Sequence, residues 1–370
     1  MKVAISIMVT PGKNIDRKEL IRKLQKKGHE VVYIGKELNE ELNSDFEQLN
    51  VKFHSISMER ETVNPLRELI SLFKTQKKLK EESIEAMVIY GIRLFPLMVI
   101  AAKIARVKKI FCVVNGSGRL FKMKGKKSML VKLISYPMLF LSFNLANLTF
   151  FQNKDDLELM KKKKLIFNER KYELVNGSGV NLEKFAFQEL EEKPIFSMIS
   201  RLTGSKGVNE YIQAAVKVKK KYPEAIFNLI GPMDDSDKSI DKKQMQDAIN
   251  QGIISFTSKV KDVRPYIKKT RFFVLPSYYP EGVPRSILEA MAMGRPILTT
   301  TSPGCKETVV NGANGFLVPP RDAEALAERM IWFVDNEAAV EKMSKESRII
   351  CEDKFDVNKI NEQMIKVMDL

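Results

Sequence analysis

Apolar residues along this chain recur in short runs separated by stretches of helical period. In the first half the runs are VAISIMV, GHEVVYIG, VKFHSIS, AMVIYG and KIFCVVNG. Between them the spacing predicts helices over about 16–27, 64–80 and 96–106. The pattern starts afresh at PIFSMIS and continues through AIFNLIG, IISFTS, RFFVLPS and PILTT. Here the helical spacing falls at 207–221, 241–250, 262–269 and from Ser286. Short β-rich runs alternating with amphipathic helices predict parallel sheets covered on both faces. Two such units in tandem make an α/β protein of two Rossmann-like, doubly wound domains, with ligand crevices at the carboxyl ends of the strands.

The joint between the units is expected at Asn176–Phe185, NGSGVNLEKF, where glycines permit positive φ and little apolar surface is available to bury. The expected domains are 1–178 and 179–353. The last stretch, 354–370, is expected to return to the first domain as a helix and to leave a hinge.

The chain is 370 residues long and 44% hydrophobic, enough for two cores. Cys112, Cys305 and Cys351 have no metal-type spacing and suggest no disulfide framework. With only two histidines, a zinc site is not expected, and the pattern fits a reducing interior. His29 and His54 lie in or beside predicted strands and read as structural, and the MKVAISIMVTPGKN start reads as a strand rather than a secretory leader.

Charge changes the picture. Of the net +16, residues 1–180 hold 34 Lys and Arg against 19 Asp and Glu, a net of +15, whereas 181–370 hold 28 against 27. Such asymmetry implies an anionic partner for the first half, either nucleic acid or anionic lipid. Few aromatics are interleaved with the basic residues, which argues against a nucleic-acid stacking platform. The most apolar stretch, 128–151, is interrupted by Lys132, Pro137 and Asn144 and ends like a strand, so it does not read as a spanning helix. Following the basic FKMKGKK, the 128–148 part is expected to lie partly inserted in a membrane interface.

The candidate chemistry sits in YPEGVPRSILEAMAMGRPI. Glu281 and Glu289 flank a slim turn that opens a helix, whose free N–H groups are a seat for phosphate. Carboxylates on either side of that seat can grip hydroxyls, which suits a sugar attached to a nucleoside diphosphate. In SRLTGSKG, Arg201 and Lys206 follow the first strand of the second unit, where two cations would neutralise a pyrophosphate leaving group. Gly204 and Gly207 keep that loop narrow.

Taken together, SRLTGSKGVNEYIQAA, LPSYYPEGVPRSILEAMAMGRPIL, PGCKETVVNGANGFLVPPRDAEALAERM and NGSGVNLEKF resemble retaining glycosyltransferases of family 4. Within that family the chain is similar to bacterial capsule and glycan-assembly enzymes of the CapM type. These include N-acetylgalactosaminyl transferases acting on undecaprenyl-diphosphate sugars. The resemblance implies the GT-B architecture, two Rossmann-like domains facing a cleft.

It also implies roles. Glu281 would hold the donor sugar's hydroxyls, bordered by the backbone of Gly282, Val283 and Pro284. Ser286 and Ile287 would offer N–H groups to the diphosphate, with Arg201 and Lys206 opposite and Arg285 near phosphate. Glu289 would bind the ribose, uracil would lie near Lys259 and Val260, and Gly12 would let the first domain's backbone close over the phosphates.

Many relatives carry a His after the fourth strand of the first domain, where this chain has Asn115, which can hydrogen-bond a sugar hydroxyl but cannot shuttle protons. Gly116, Ser117, Gly118 and Arg119 then read as a flexible, basic lip for an acceptor diphosphate. DDSD at 234–237 reads as a solvated loop and the Lys161–Lys164 run as a solvated helix end. No metal is expected.

The implied activity moves an N-acetylhexosamine from a UDP-sugar to a polyprenyl-diphosphate-linked saccharide with α linkage, at the inner face of the cell membrane. The alternatives are a hexose donor or another acceptor, or a donor-binding subunit without turnover.

Overall fold

In the computed structural model the described residues are 1–7, 17–35, 46–56, 65–118, 120–121, 125–234, 237 and 239–370. The expected positions Gly12 and Arg119 lie outside them. The chain divides into two units, Met1–Val175 with Asn358–Leu370, and Asn176–Val357.

The strands of the first unit are β1 (Lys2–Ile7), β2 (Glu30–Gly35), β3 (Lys52–Ser55), β4 (Ala86–Tyr90), β5 (Lys109–Val114), β6 (Leu148–Phe151) and β7 (Tyr172–Leu174). They form one sheet in the order β3-β2-β1-β4-β5-β6-β7, with every pair parallel. The two-residue period of a strand sends alternate side chains to two cores. Met87 and Ile89 join the helices Pro65–Glu81, Phe95–Ile104 and Lys126–Leu145 on one face. Ala86, Val88 and Tyr90 join Lys18–Lys26 and Val357–Met368 on the other. The final helix docks there through Ile360, Met364, Ile365 and Met368, while Lys23 pairs with Glu362 at 2.9 Å and Lys109 with Asp369 at 2.7 Å.

The second unit repeats the plan with β8 (Ile195–Ile199), β9 (Ile226–Ile230), β10 (Ser255–Thr257), β11 (Phe272–Leu275), β12 (Ile297–Thr300) and β13 (Gly315–Val318). Its order is β10-β9-β8-β11-β12-β13, again all parallel. The order reverses at β8, so the loops after β8 and β11 lie side by side at the topological switch point. Phe272 of RFFVLPS and Phe196 of PIFSMIS pack at a tilt in this core, ring centroids 4.7 Å apart.

The sequence pattern does not single out β7 and β13, three and four residues long. The stretch from 128 is helical, running Lys126–Leu145 with Pro137 inside it. Among the described residues no helix is long and apolar enough to cross a membrane.

One ion cluster closes the amino-terminal ends of β1 and β3. Glu82, 8% exposed, receives Lys52 at 2.6 Å, Lys2 at 2.9 Å and His54 Nε2 at 2.8 Å. The Lys52 and Lys2 ammonium groups hold its carboxyl at about 2, well below the usual carboxylate range. A carboxyl depressed on folding contributes stability that is present above its unfolded value and is lost as pH falls through the folded one. Urea unfolding is therefore expected to weaken by roughly 1–3 kcal/mol between pH 5 and 2 through this residue. Glu82→Gln should flatten that limb, and an unchanged acid limb in the variant would refute the assignment.

Candidate donor-sugar site in the second unit

The site grows from two strand ends. After β8 the chain passes Arg201 and makes one 3-10 turn, Gly204–Lys206, before entering the helix Val208–Lys221. After β11 it runs through Pro276–Pro284 into the helix Arg285–Ala292. The Tyr278 N–H donates to the Ser205 carbonyl at 2.9 Å and stitches the loops together.

The side chains then converge. Lys206 Nζ lies 2.5 Å from Glu281 Oε1, with the side chains only 14% and 18% exposed. Ser277 Oγ donates to the same carboxylate oxygen at 3.0 Å, and the ammonium sits 5.6 Å from the Tyr279 ring centroid. Ser277 is fully buried and its own carbonyl accepts from Thr300 Oγ1, so Glu281 is held from behind by β11 and β12. Sequence reading assigned Ser277 no role. The signal available was a serine at a strand end, four residues before the acidic turn.

Two glycines clamp the EGVP turn. Gly177 has φ +68, and a Cβ there would come within 2.7 Å of Val283 Cβ. Gly304 has φ +84, and its Cβ would run into the Gly282 carbonyl. Both positions need the left-handed backbone and the missing side chain. The joint Asn176–Phe185 is thus tied to the turn by close packing.

The helix Arg285–Ala292 buries Ile287, Leu288, Ala290, Met291 and Ala292, and its N-cap Pro284 supplies no side-chain acceptor. Such an end keeps N–H groups for an outside acceptor. Ile287 N–H, however, already donates to the Pro284 carbonyl at 3.1 Å. Glu289 stands 16% exposed, 3.8 Å from Arg285 one turn earlier.

Arg201, half exposed, lies 3.8 Å from Asp234. Lys259 and Val260 follow β10, two strands away from β8 on the same carboxyl-terminal edge. At Asp237 the solvated reading is corrected. Asp237 Oδ2 accepts the Gly204 N–H at 3.0 Å and Oδ1 accepts the Ser239 N–H at 2.9 Å, so this carboxylate anchors the turn that carries Lys206. Among the described residues no group of three or more His, Cys, Asp and Glu is placed to hold a metal ion.

In the first unit Asn115 is exposed at the end of β5, while Gly116 and Ser117 are buried. Within the expected lip, Ser117 N–H donates to Asp156 Oδ1 at 3.2 Å. Asn153 caps the helix Lys154–Lys162, accepting from Asp156 N–H at 2.7 Å and donating to Asp156 Oδ2 at 2.8 Å. Burial pushes the Asp156 carboxyl up. Sequence reading missed Asp156, although NKDD after an apolar run is an N-cap signal.

Residues 180–350 match the family model described as glycosyl transferases group 1. Over 369 residues the chain is 27% identical to the Campylobacter jejuni N,N'-diacetylbacillosaminyl-diphospho-undecaprenol alpha-1,3-N-acetylgalactosaminyltransferase, covering 95% of this chain and 94% of that one. Over 262 residues it is 26% identical to the Staphylococcus aureus capsular polysaccharide biosynthesis glycosyltransferase CapM, covering 66% and 68%. The crystal structure of Anabaena HepE in complex with UDP and glucose matches with a TM-score of 0.79 at 17% identity, covering 100% of this chain and 99% of that one. The fold is therefore GT-B in class, two parallel-sheet Rossmann-like domains, and the second of them matches the glycosyl transferases group 1 model over residues 180–350.

Proposed function

We propose that this protein is a retaining glycosyltransferase of family 4. It moves an N-acetylhexosamine from a UDP-sugar to a saccharide carried on a polyprenyl diphosphate, forming an α linkage in surface glycan assembly. The observation that carries this reading is the Lys206–Glu281–Ser277 constellation at the switch point, beside the start of the helix Arg285–Ala292. A cation for the leaving diphosphate and a carboxylate for sugar hydroxyls stand together there, as glycosyl transfer requires. The similarity to a transferase named for a diphospho-undecaprenol substrate supports the acceptor class.

The acceptor hydroxyl oxygen bonds to the anomeric carbon on the face from which UDP departs. The bond from that carbon to the β-phosphate oxygen breaks, and the hydroxyl proton passes to the departing phosphate. Lys206 and Arg201, with the Ser286 N–H, meet the growing negative charge without a metal ion. Glu281 orients the donor sugar between Gly282, Val283 and Pro284, and Glu289 grasps the ribose, with Arg285 near phosphate and uracil by Lys259 and Val260. Asn115 and the Gly116–Arg119 segment receive the acceptor. The basic first unit meets anionic lipid at the cytoplasmic face of the membrane.

Purified protein incubated with a panel of nucleotide sugars and a synthetic lipid-linked acceptor is expected to yield one added N-acetylhexosamine by mass spectrometry. The product should be α by NMR, and its rate unaffected by a chelator. A hexose product would replace the donor assignment. Absence of both transfer and donor hydrolysis would overturn the enzymatic reading.

A further inference from the structure

The helices Pro65–Glu81, Phe95–Ile104 and Lys126–Leu145 cover one face of the first sheet, with the middle one touching both others. Pro65–Glu81 packs Leu72 and Leu79 against the core, yet it also leaves a group of large apolar side chains on its outer side. Its inward positions include the hydroxyl residues Ser71 (5% exposed) and Thr75 (1%), with Thr75 Oγ1 donating to the Ser71 carbonyl at 2.7 Å. Its outward positions hold Leu69 (50%), Ile70 (48%) and Phe73 (54%). One exposed leucine calls for no explanation, but three large side chains at i, i+1 and i+4 form a stripe.

The stripe is set among cations. The helix has five basic residues against two acidic ones, and Lys126–Leu145 has three against none. On the latter helix Met129, Leu133 and Ile134 are 77%, 72% and 60% exposed. A second copy of this face would bring positive charge against positive charge. An anionic bilayer offers hydrocarbon to the stripe and negative head groups to the lysines, which can bury their stems and keep their ammonium groups in water.

We propose that Pro65–Glu81 is a second lipid-inserting element, so that the first unit docks on anionic membrane through two helices flanking Phe95–Ile104. The proposal rests on the membrane reading above and extends it from one segment to two. Two anchors suit a reversible peripheral enzyme, since one weak insertion gives only marginal binding.

The test uses the full chain and vesicles of phosphatidylcholine with or without phosphatidylglycerol. Leu69→Ser, Ile70→Ser and Phe73→Ser combined are expected to lower partitioning onto the anionic vesicles about tenfold to a hundredfold. Transfer to a water-soluble acceptor should be unchanged, which confirms folding. Unchanged partitioning would overturn the proposal.

Phe73→Trp supplies a local probe, because the chain has a single tryptophan, Trp332. Added fluorescence quenched by brominated acyl chains supports insertion. Flotation without such quenching overturns the role of this helix and leaves the membrane reading standing. Failure of the unaltered protein to float overturns both. A dimer in sedimentation that the triple variant dissociates would show that a second copy covers the stripe, and would also overturn the proposal.

Discussion

Lys206→Ala is expected to lower the rate of sugar transfer by about a hundredfold to ten-thousandfold, and Glu281→Ala by a similar factor. The Lys206 side chain is only 14% exposed, and its ammonium lies against a carboxylate that Ser277 fixes from a fully buried position. Negative charge on the departing diphosphate grows only as the bond to the sugar breaks. Removing Lys206 should therefore fall mainly on kcat, with a smaller effect on donor binding. On the proposed reading, removing Glu281 takes away the acceptor for sugar hydroxyls and leaves Lys206 without its 2.5 Å partner, so both kcat and KM should suffer. Steady-state kinetics with the donor, alongside thermal unfolding to show an intact fold, decide the matter. Rates within about threefold of the unaltered protein for either variant would remove the basis of the site.

The largest effect on stability is expected at Arg295, the arginine of the MAMGRPI segment. Its side chain is fully buried, and its guanidinium donates to the carbonyls of Thr270 at 2.8 Å, Met293 at 2.8 Å, Glu189 at 3.0 Å and Gln188. Burial pushes it down to about 10, so it remains a cation at neutral pH. It ties the turn before β12 to the turn before β11 and to the segment 188–189. Arg295→Met would keep the bulk while leaving several buried carbonyls without a donor, at a cost of about 3–5 kcal/mol. For a unit of this size that lowers Tm by roughly 8–15 °C, readable by calorimetry. A loss below about 1 kcal/mol would mean that water replaces the guanidinium.

The parts of the site that were legible in the sequence are those whose signal is local. Glu281, the slim turn and the helix behind it form a contiguous segment with its own spacing, as do Arg201, the narrow glycine loop and Lys206. The supporting residues were not legible, because their partners are remote in the chain. Asp237 reaches back thirty-three positions to Gly204, and Asp156 thirty-nine positions to Ser117. Each is a carboxylate accepting a backbone N–H, a contact that composition and periodicity do not encode. The same limit applies to the helix Pro65–Glu81: its basic residues were visible, but only packing shows that Leu72 and Leu79 face the core while Leu69, Ile70 and Phe73 stay outside.

By itself the sequence determined the alternation of strands and helices, the restart near 194, the charge imbalance between the halves and the position of the candidate chemistry. These follow from periodicity and residue type, which are properties of neighbours in the chain. Tertiary structure alone decided that the loops after β8 and β11 meet, because the strand order reverses at β8. It also decided that Lys206 faces Glu281 across seventy-five residues, with Ser277 behind it. Strand order is set by the burial of whole layers against one another, so no single stretch of the chain carries it.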